Sequence, residues 1–178
     1  MTRKYAFSWS LLGDLDVARP NLGPQMRMEV YRLMQFCFRD VLEQRYGAEE
    51  VDKIFFDAGV LAGRNFYDNL VKPADPATFN DLVDLLKKLL IDLGIGILRI
   101  EKADLETLNF VLTVGEDLDC SGLPELGYEI CIYDEGFLAG LLEAHTGKAF
   151  HVKEIDCWCT NDRTCRFQAT PLKEDDKE

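Results

Sequence analysis

Three of the chain's six cysteines and a glutamate lie within one short segment near the C-terminus, EIDCWCTNDRTC at residues 154–165. Thiolates and a carboxylate at such spacing can bind a metal ion or carry out redox chemistry. The N-terminal sequence lacks the apolar stretch of a signal peptide, so we expect a cytoplasmic protein. Cysteines stay reduced in that compartment, and clustered ones are more often metal ligands than disulfides. The segment is therefore a candidate metal site.

Composition narrows the classes of function. The chain has 178 residues, of which 47% are hydrophobic and 29% charged, enough to build a core without a metal or a disulfide. Its net charge is −12 and no segment carries a basic stripe, so a phosphate backbone would be repelled and we expect no nucleic-acid partner. No run of about 18 apolar residues occurs, which predicts no membrane span.

The first half of the chain is predicted to be mostly helical. After a short strand predicted at residues 5–11, apolar residues recur at helical spacing in three segments, 30–42, 51–70 and 82–93. In the second helix, Gly59 and Gly63 lie one turn apart and would allow a neighbouring element to approach closely. Cys37 falls on the apolar face of the first helix, where we expect it to pack in the core.

From Gly94 onward the hydrophobic period changes toward two, which predicts strands. Residues 94–103 and 107–117 read as an antiparallel hairpin, and residues 149–158 and 163–170 as two final strands. A helix separates the two pairs, with Asp134 as its predicted N-cap and Gly147 just past its end. The order predicts an α+β fold in which N-terminal helices pack on a mostly antiparallel sheet. We expect one domain, 1–171, followed by an acidic tail, 172–178.

Strand alternation predicts where the clustered side chains point. Glu154 shares a face with Phe150 and Val152, which places a carboxylate on the buried side, where it needs a partner. Cys165 likewise opens the apolar face of the next strand, and Cys157 ends the preceding one. These three side chains can converge at the open end of one hairpin and leave a tetrahedral site short of one ligand.

Cys131, just before the last predicted helix, is the natural fourth ligand. Three thiolates and one carboxylate suit zinc, which forms closed four-ligand structural sites. Such a site leaves no open position for substrate, so we predict a structural metal and no catalytic residue. Cys159 is a further thiol two residues from Cys157, and it is an alternative to Glu154 as the fourth ligand. Sequence reasoning assigns no role to Cys120.

The motif from Cys131, CIYDEGFLAG, is followed 23 residues later by Glu154 and then by Cys157 and Cys165. This pattern resembles the 4-vinyl reductase domain over residues 131–171. The resemblance implies that these four residues bind a structural zinc beside a small apolar ligand pocket, as in the sensory members of that family. The family usually has glycine where this chain has Asn161, a residue that tolerates positive φ, so the turn is expected to survive.

The function predicted on this basis is a zinc-stabilised binding module for a small hydrophobic or aromatic ligand. Leu108, Phe110 and Leu112 are the predicted pocket residues, although the same residues would equally fill a solid core. We expect a homodimer, because Met34 and Phe38 broaden the apolar face of the first helix, and output through a protein partner. The family resemblance supplies two alternatives, an enzyme or accessory protein of tetrapyrrole vinyl reduction and a structural dimerising subunit.

Overall fold

A computed structural model describes residues 4–173, and it confirms the predicted α+β class. Of the predicted tail at 172–178, only the first two residues lie within the described range. The helices and strands in that range are α1 Leu15–Ala18, α2 Met28–Tyr46, α3 Ala48–Phe66, α4 Phe79–Asp92, β1 Ile97–Asp104, β2 Asn109–Gly115, α5 Ile132–Thr146, β3 Phe150–Asp156 and β4 Cys165–Pro171.

The four strands form one antiparallel sheet in the order β1-β2-β4-β3. Both predicted hairpins are present, and β4 joins them by pairing with β2. Because β4 lies between two neighbours, its inward residues Cys165, Phe167 and Ala169 are completely buried. Glu154 on β3 is also buried, as the alternation predicts, opposite Phe167.

Two helices cover the sheet, and each begins with local sequence that favours a helix start. Thr78 caps α4 by accepting a hydrogen bond from the N–H of Asp81, whose carboxylate accepts the N–H of Thr78 in return. The buried face of α4, which includes Leu82, Leu86 and Leu90, packs toward β1. α5 packs on β3 and ends at Gly147 in the left-handed conformation, as predicted.

Helices α3 and α5 cross at four glycines, supplied by the similar segments GVLAG at 59–63 and GFLAG at 136–140. A Cβ atom at Gly63 would lie 2.0 Å from the carbonyl oxygen of Phe137, and one at Gly136 would lie 2.1 Å from that of Phe56. Gly59 faces the start of α5 and Gly63 faces its middle, so the helices run in the same direction. The close approach predicted from Gly59 and Gly63 is confirmed.

Three local predictions are wrong. Residues 9–12 form a 3₁₀ turn that ends at Gly13 with φ 75°, and no sheet edge pairs with them as a strand requires. Asp134 lies inside the first turn of α5, and Cys131 occupies the N-cap. Cys37 is exposed, because none of the residues of α2 is buried. None of the helices within residues 4–173 combines the length and the apolar composition that crossing a membrane requires.

Candidate metal centre and adjoining cavity

Four completely buried cysteines bring their sulfur atoms together at one end of the sheet: Cys120, Cys131, Cys157 and Cys165. All four sulfurs lie within 4.8 Å of one another. The Sγ of Cys131 is 3.7 Å from that of Cys165 and 4.0 Å from that of Cys157, and the Cys120 and Cys165 sulfurs are 3.0 Å apart. Zinc with Zn–S bonds of about 2.3 Å holds its tetrahedral sulfurs roughly 3.8 Å apart. The donor set therefore fits one tetrahedral metal ion.

Secondary structure places three of these cysteines where the sequence predicts. Cys165 begins β4 and pairs with Val114 of β2, and Cys157 directly follows β3. Asn161 takes up φ 75° in the turn between them, so the turn forms without the glycine usual in the family. Cys131 is the N-cap of α5, where the partial positive charge of the helix end favours a thiolate.

Cys120 is the functional residue that sequence reasoning missed. It lies in the loop after β2, which Asp117 shapes by accepting hydrogen bonds from the backbone N–H groups of Asp119 at 2.8 Å and of Cys120 at 3.1 Å. An aspartate three residues before a cysteine is a local turn signal. It could have suggested an ordered loop, but nothing in the sequence shows that this loop reaches β4.

Glu154 borders the four sulfurs but does not belong to their group. Its Oε2 accepts a hydrogen bond from the N–H of Cys131 at 3.2 Å, and its Oε1 is buried without a partner among the described residues. Burial raises the pKa of this carboxyl to about 8. Cys159 is also buried outside the group, and its N–H lies 3.4 Å from the sulfur of Cys157.

The cluster favours negative charge on one of its sulfurs. Hydrogen bonds from the thiols of Cys120, Cys131 and Cys165 lower the pKa of Cys157 far below its usual range. Hydrogen bonding with the same neighbours raises the pKa of Cys131. A group of thiols that shares negative charge in this way is chemically suited to a cation, since metal ligands must be deprotonated.

Helix α5 is fixed to the metal centre at two points. Cys131 holds its N-terminus, and the Glu135 carboxylate one turn on accepts hydrogen bonds from Lys153 Nζ at 2.9 Å and from the N–H of Glu154 at 2.8 Å. The first turns of the same helix carry Tyr133 and Phe137, which face a cavity. The metal centre therefore positions one wall of that cavity.

The cavity has a volume of about 490 Å³ and lies between the N-terminal segment, α3 and α5. Its lining is mainly apolar and includes Ala62 at its α3 side. Six aromatic rings contribute to the lining: Phe7, Trp9, Tyr31, Phe66, Tyr133 and Phe137. A space of this size and character suits a small apolar molecule.

Carboxylates occupy one end of the cavity. Asp119 accepts hydrogen bonds from Tyr31 Oη at 2.8 Å and from Gln35 Nε2 at 2.9 Å. Asp134 lines the same end, and its Oδ2 is buried without a hydrogen-bond partner among residues 4–173. Burial, reinforced by the charge of Asp119, raises the pKa of Asp134 well above its usual range. Burial likewise raises the pKa of Asp117 to about 7.

The three residues predicted to line a ligand pocket lie elsewhere. Phe110 and Leu112 are about 95% buried in the core, where the Phe110 ring stacks on Phe79 at 5.8 Å between ring centres. Leu108 is half-buried in the turn before β2, with φ 57°. None of the three lines this cavity or the neighbouring one of about 410 Å³ between α2 and α3.

The second cavity shares Tyr31 and Tyr133 with the first. Tyr31 belongs to α2, and polar contacts attach this helix to the loop that carries Cys120. Arg32 Nε donates to the carbonyl oxygen of Leu118 at 2.8 Å, beside the two bonds that Asp119 accepts. The metal-bearing loop, α2 and both cavities are therefore directly connected.

The family model of the vinyl-4-reductase domain matches residues 110–171. The chain contains a vinyl-4-reductase domain. All four clustered cysteines lie within the matched residues, together with Glu154, α5 and the last three strands of the sheet. The predicted resemblance to this family is confirmed, and it extends over β2 as well as the region from Cys131 onward.

Two curated relatives of this vinyl-4-reductase domain protein come from Methanocaldococcus jannaschii. The uncharacterized protein MJ1642 is 37% identical over 51 residues, 29% of this chain and 32% of its own length. The uncharacterized protein MJ0150 is 24% identical over 117 residues, 66% of this chain and 63% of its own length. The chain thus spans less than two thirds of either relative.

Three solved structures share the fold. The phenol-responsive sensory domain of the transcription activator PoxR, crystallised with phenol, has a TM-score of 0.66 and 14% identity, covering 84% of this chain and 76% of its own. A vinyl-4-reductase family protein of M. jannaschii has a TM-score of 0.57 and 16% identity, covering 85% of both chains. A trafficking protein particle complex subunit 3 from Naegleria fowleri, covalently bound to palmitic acid, has a TM-score of 0.60 and 12% identity, covering 82% and 95%.

Proposed function

We propose that this vinyl-4-reductase domain protein is a zinc-stabilised binding module for a small hydrophobic or aromatic ligand. The observation that carries the proposal is the aromatic-lined cavity of about 490 Å³, one wall of which stands on the metal centre. The ligand would lie between α3, α5 and the N-terminal segment, against Phe66 and Phe137. Apolar burial supplies the binding energy, at about 25 cal/mol per Å² removed from water.

Two proteins of the same fold hold apolar molecules, which supports the proposal. The PoxR sensory domain was crystallised with phenol, and the Naegleria subunit carries covalently bound palmitic acid. Their low sequence identity to this chain establishes the common fold, and the residues that would contact a ligand here are its own.

A cavity-filling variant tests ligand binding. In Ala62→Trp the indole would occupy the cavity, whereas Ala48→Trp adds the same side chain at the exposed start of α3. We expect ligands from a panel of phenols, aliphatic alcohols and porphyrin precursors to raise the Tm of the native protein, since a ligand at 100 times its Kd adds about 2.7 kcal/mol. The shift should persist in Ala48→Trp and disappear in Ala62→Trp. Equal shifts in both variants, or none with any ligand, would reject the binding function.

The metal is proposed to be one zinc ion per chain, bound by Cys120, Cys131, Cys157 and Cys165. Their mutual sulfur distances support this set, and Cys120 takes the place predicted for Glu154. In this arrangement Glu154 orients the ligand-bearing turn by accepting the N–H of Cys131.

Elemental analysis of two conservative variants distinguishes the ligand sets. Cys120→Ser should lose most of the zinc, while Glu154→Gln should retain close to one ion per chain. The reverse result would restore the predicted set with Glu154 as ligand. Iron with visible charge-transfer absorption in the native protein would reject zinc itself.

The exposed apolar face of α2 supports the proposal that output passes through a homodimer or another protein. Leu33, Met34 and Phe38 are 60–68% exposed, an unusual density of large apolar side chains for a free surface. A ligand touching Tyr31 would act on this helix directly, because Tyr31 also binds Asp119 of the loop that bears Cys120. The proposal expects sedimentation to show a dimer.

A further inference from the structure

The polar end of the cavity gives information about the ligand beyond its apolar character. Among the described residues that line the cavity, Asp119 and Asp134 carry charge, and no lysine, arginine or histidine is present. Both oxygens of Asp119 accept hydrogen bonds from side chains of α2. Asp134 forms no such bond with a described residue, and its Oδ2 is buried.

An unpaired buried carboxylate is costly, and it calls for a cation or a hydrogen-bond donor. Arg32 is the basic side chain whose charge acts on Asp119, but its Nε and one terminal nitrogen donate to the carbonyl oxygens of Leu118 and Asp117 at 2.8 and 3.4 Å. Asp117 adds a third acidic side chain behind Asp134. This end of the cavity therefore carries an excess of acidic groups that the protein itself does not pair.

Aromatic rings complete an environment suited to an organic cation. Tyr31 and Tyr133 line the cavity at the same end as Asp134, and Trp9 lies on the N-terminal segment that borders it. The faces of such rings attract an ammonium group when water is excluded, by about 0.5–2 kcal/mol each. A carboxylate ligand would instead meet two acidic side chains without a compensating base.

We propose that the cavity selects apolar amines, with the ammonium group paired to Asp134 between the tyrosine rings and the hydrocarbon part extending along Phe66 and Phe137. The inference rests on the proposed binding function and specifies its ligand class. It goes further than hydrophobicity, because it predicts that head-group charge decides affinity among ligands with the same apolar part.

Calorimetric titration with n-octylamine, n-octanol and n-octanoate at pH 7 compares an ammonium, a neutral and a carboxylate head group on one alkyl chain. We expect the amine to bind at least tenfold more tightly than the alcohol, a difference of about 1.4 kcal/mol, and octanoate to show no binding. Equal or weaker binding of the amine would overturn the amine preference and leave the binding function intact. Absence of binding by all three would overturn both.

Asp134→Asn and Asp57→Asn remove the same charge, inside the cavity and on the exposed surface of α3 respectively. Asp134→Asn should reduce octylamine affinity about tenfold and leave octanol affinity unchanged, whereas Asp57→Asn should change neither. Zinc content is measured in parallel, because Asp134 lies near the sulfur of Cys131. Loss of zinc in Asp134→Asn would assign this carboxylate to the metal and overturn its role as the amine partner.

Discussion

The helix pair α3–α5 and the helix α2 carry similar amphipathic sequences, yet they are packed in opposite ways. At the α3–α5 crossing, four glycines allow main chains to touch, and Gly136 and Gly140 are buried. α2 has no buried residue, and Phe38 on it is 60% exposed. The comparison shows that an amphipathic pattern marks a face that gains from a partner without saying whether that partner is in the same chain. Small residues are the better indicator of an intramolecular contact here, because only they permit such close approach.

Breaking the metal centre should have the largest effect on the well-packed region. Cys165→Ser removes a sulfur that lies within 3.7 Å of two others, and metal-binding energy is part of folding energy. We expect loss of the zinc and of at least about 4 kcal/mol, which lowers the Tm by roughly 8–16 °C. Calorimetry with and without a chelator measures both, and a chelator should reproduce the effect in the native protein. A Tm unchanged by chelation would show that the cysteines act only as apolar core residues.

The glycine crossing is tested by adding one methyl group. In Gly63→Ala the new Cβ would meet the backbone of Phe137 at 2.0 Å, so the helices must separate, at a cost of about 3 kcal/mol. Gly115→Ala is the matched control, because its nearest neighbour is 4.0 Å away and it should change stability by less than about 0.5 kcal/mol. Urea unfolding of both variants gives the difference. Similar stabilities would mean that the crossing tolerates a wider spacing.

The exposed face of α2 should respond in the opposite way, with association lost and folding kept. Phe38→Glu places a charge on the apolar face, and we expect sedimentation to show a monomer while unfolding stability changes by about 0.5 kcal/mol or less. Lys53→Glu, a charge change at an exposed position of α3, serves as control and should leave the dimer intact. A native protein that is already monomeric at all concentrations would remove the dimer proposal.

The smallest effect is expected at Cys159. Its sulfur lies outside the group of four, so Cys159→Ser should retain one zinc and lose about 1 kcal/mol from placing a hydroxyl in a buried position. Metal analysis and thermal unfolding of this variant sharpen the contrast with Cys165→Ser. Loss of zinc here would make Cys159 the ligand, as the alternative set predicts.

Prediction from sequence succeeds for elements whose pattern is local. The hairpins β1–β2 and β3–β4 follow from alternation, and the burial of Glu154 follows from its place between apolar neighbours on β3. The N-terminal turn at 9–12 has apolar residues but no strand to pair with, and pairing is a long-range property. Leu108 shows the same limit, because a positive φ takes it out of the strand whose alternation it continues.

The sequence by itself determined the fold class, the antiparallel hairpins and a metal centre built on Cys131, Cys157 and Cys165, because period and spacing express short-range geometry. Only the tertiary structure decided that Cys120 meets Cys165, 45 residues away, and that the open space lies against Phe66 and Phe137. Both depend on how β2, β4, α3 and α5 stack. Contacts between distant segments are chosen by the packing of the whole core, which no single stretch of sequence encodes.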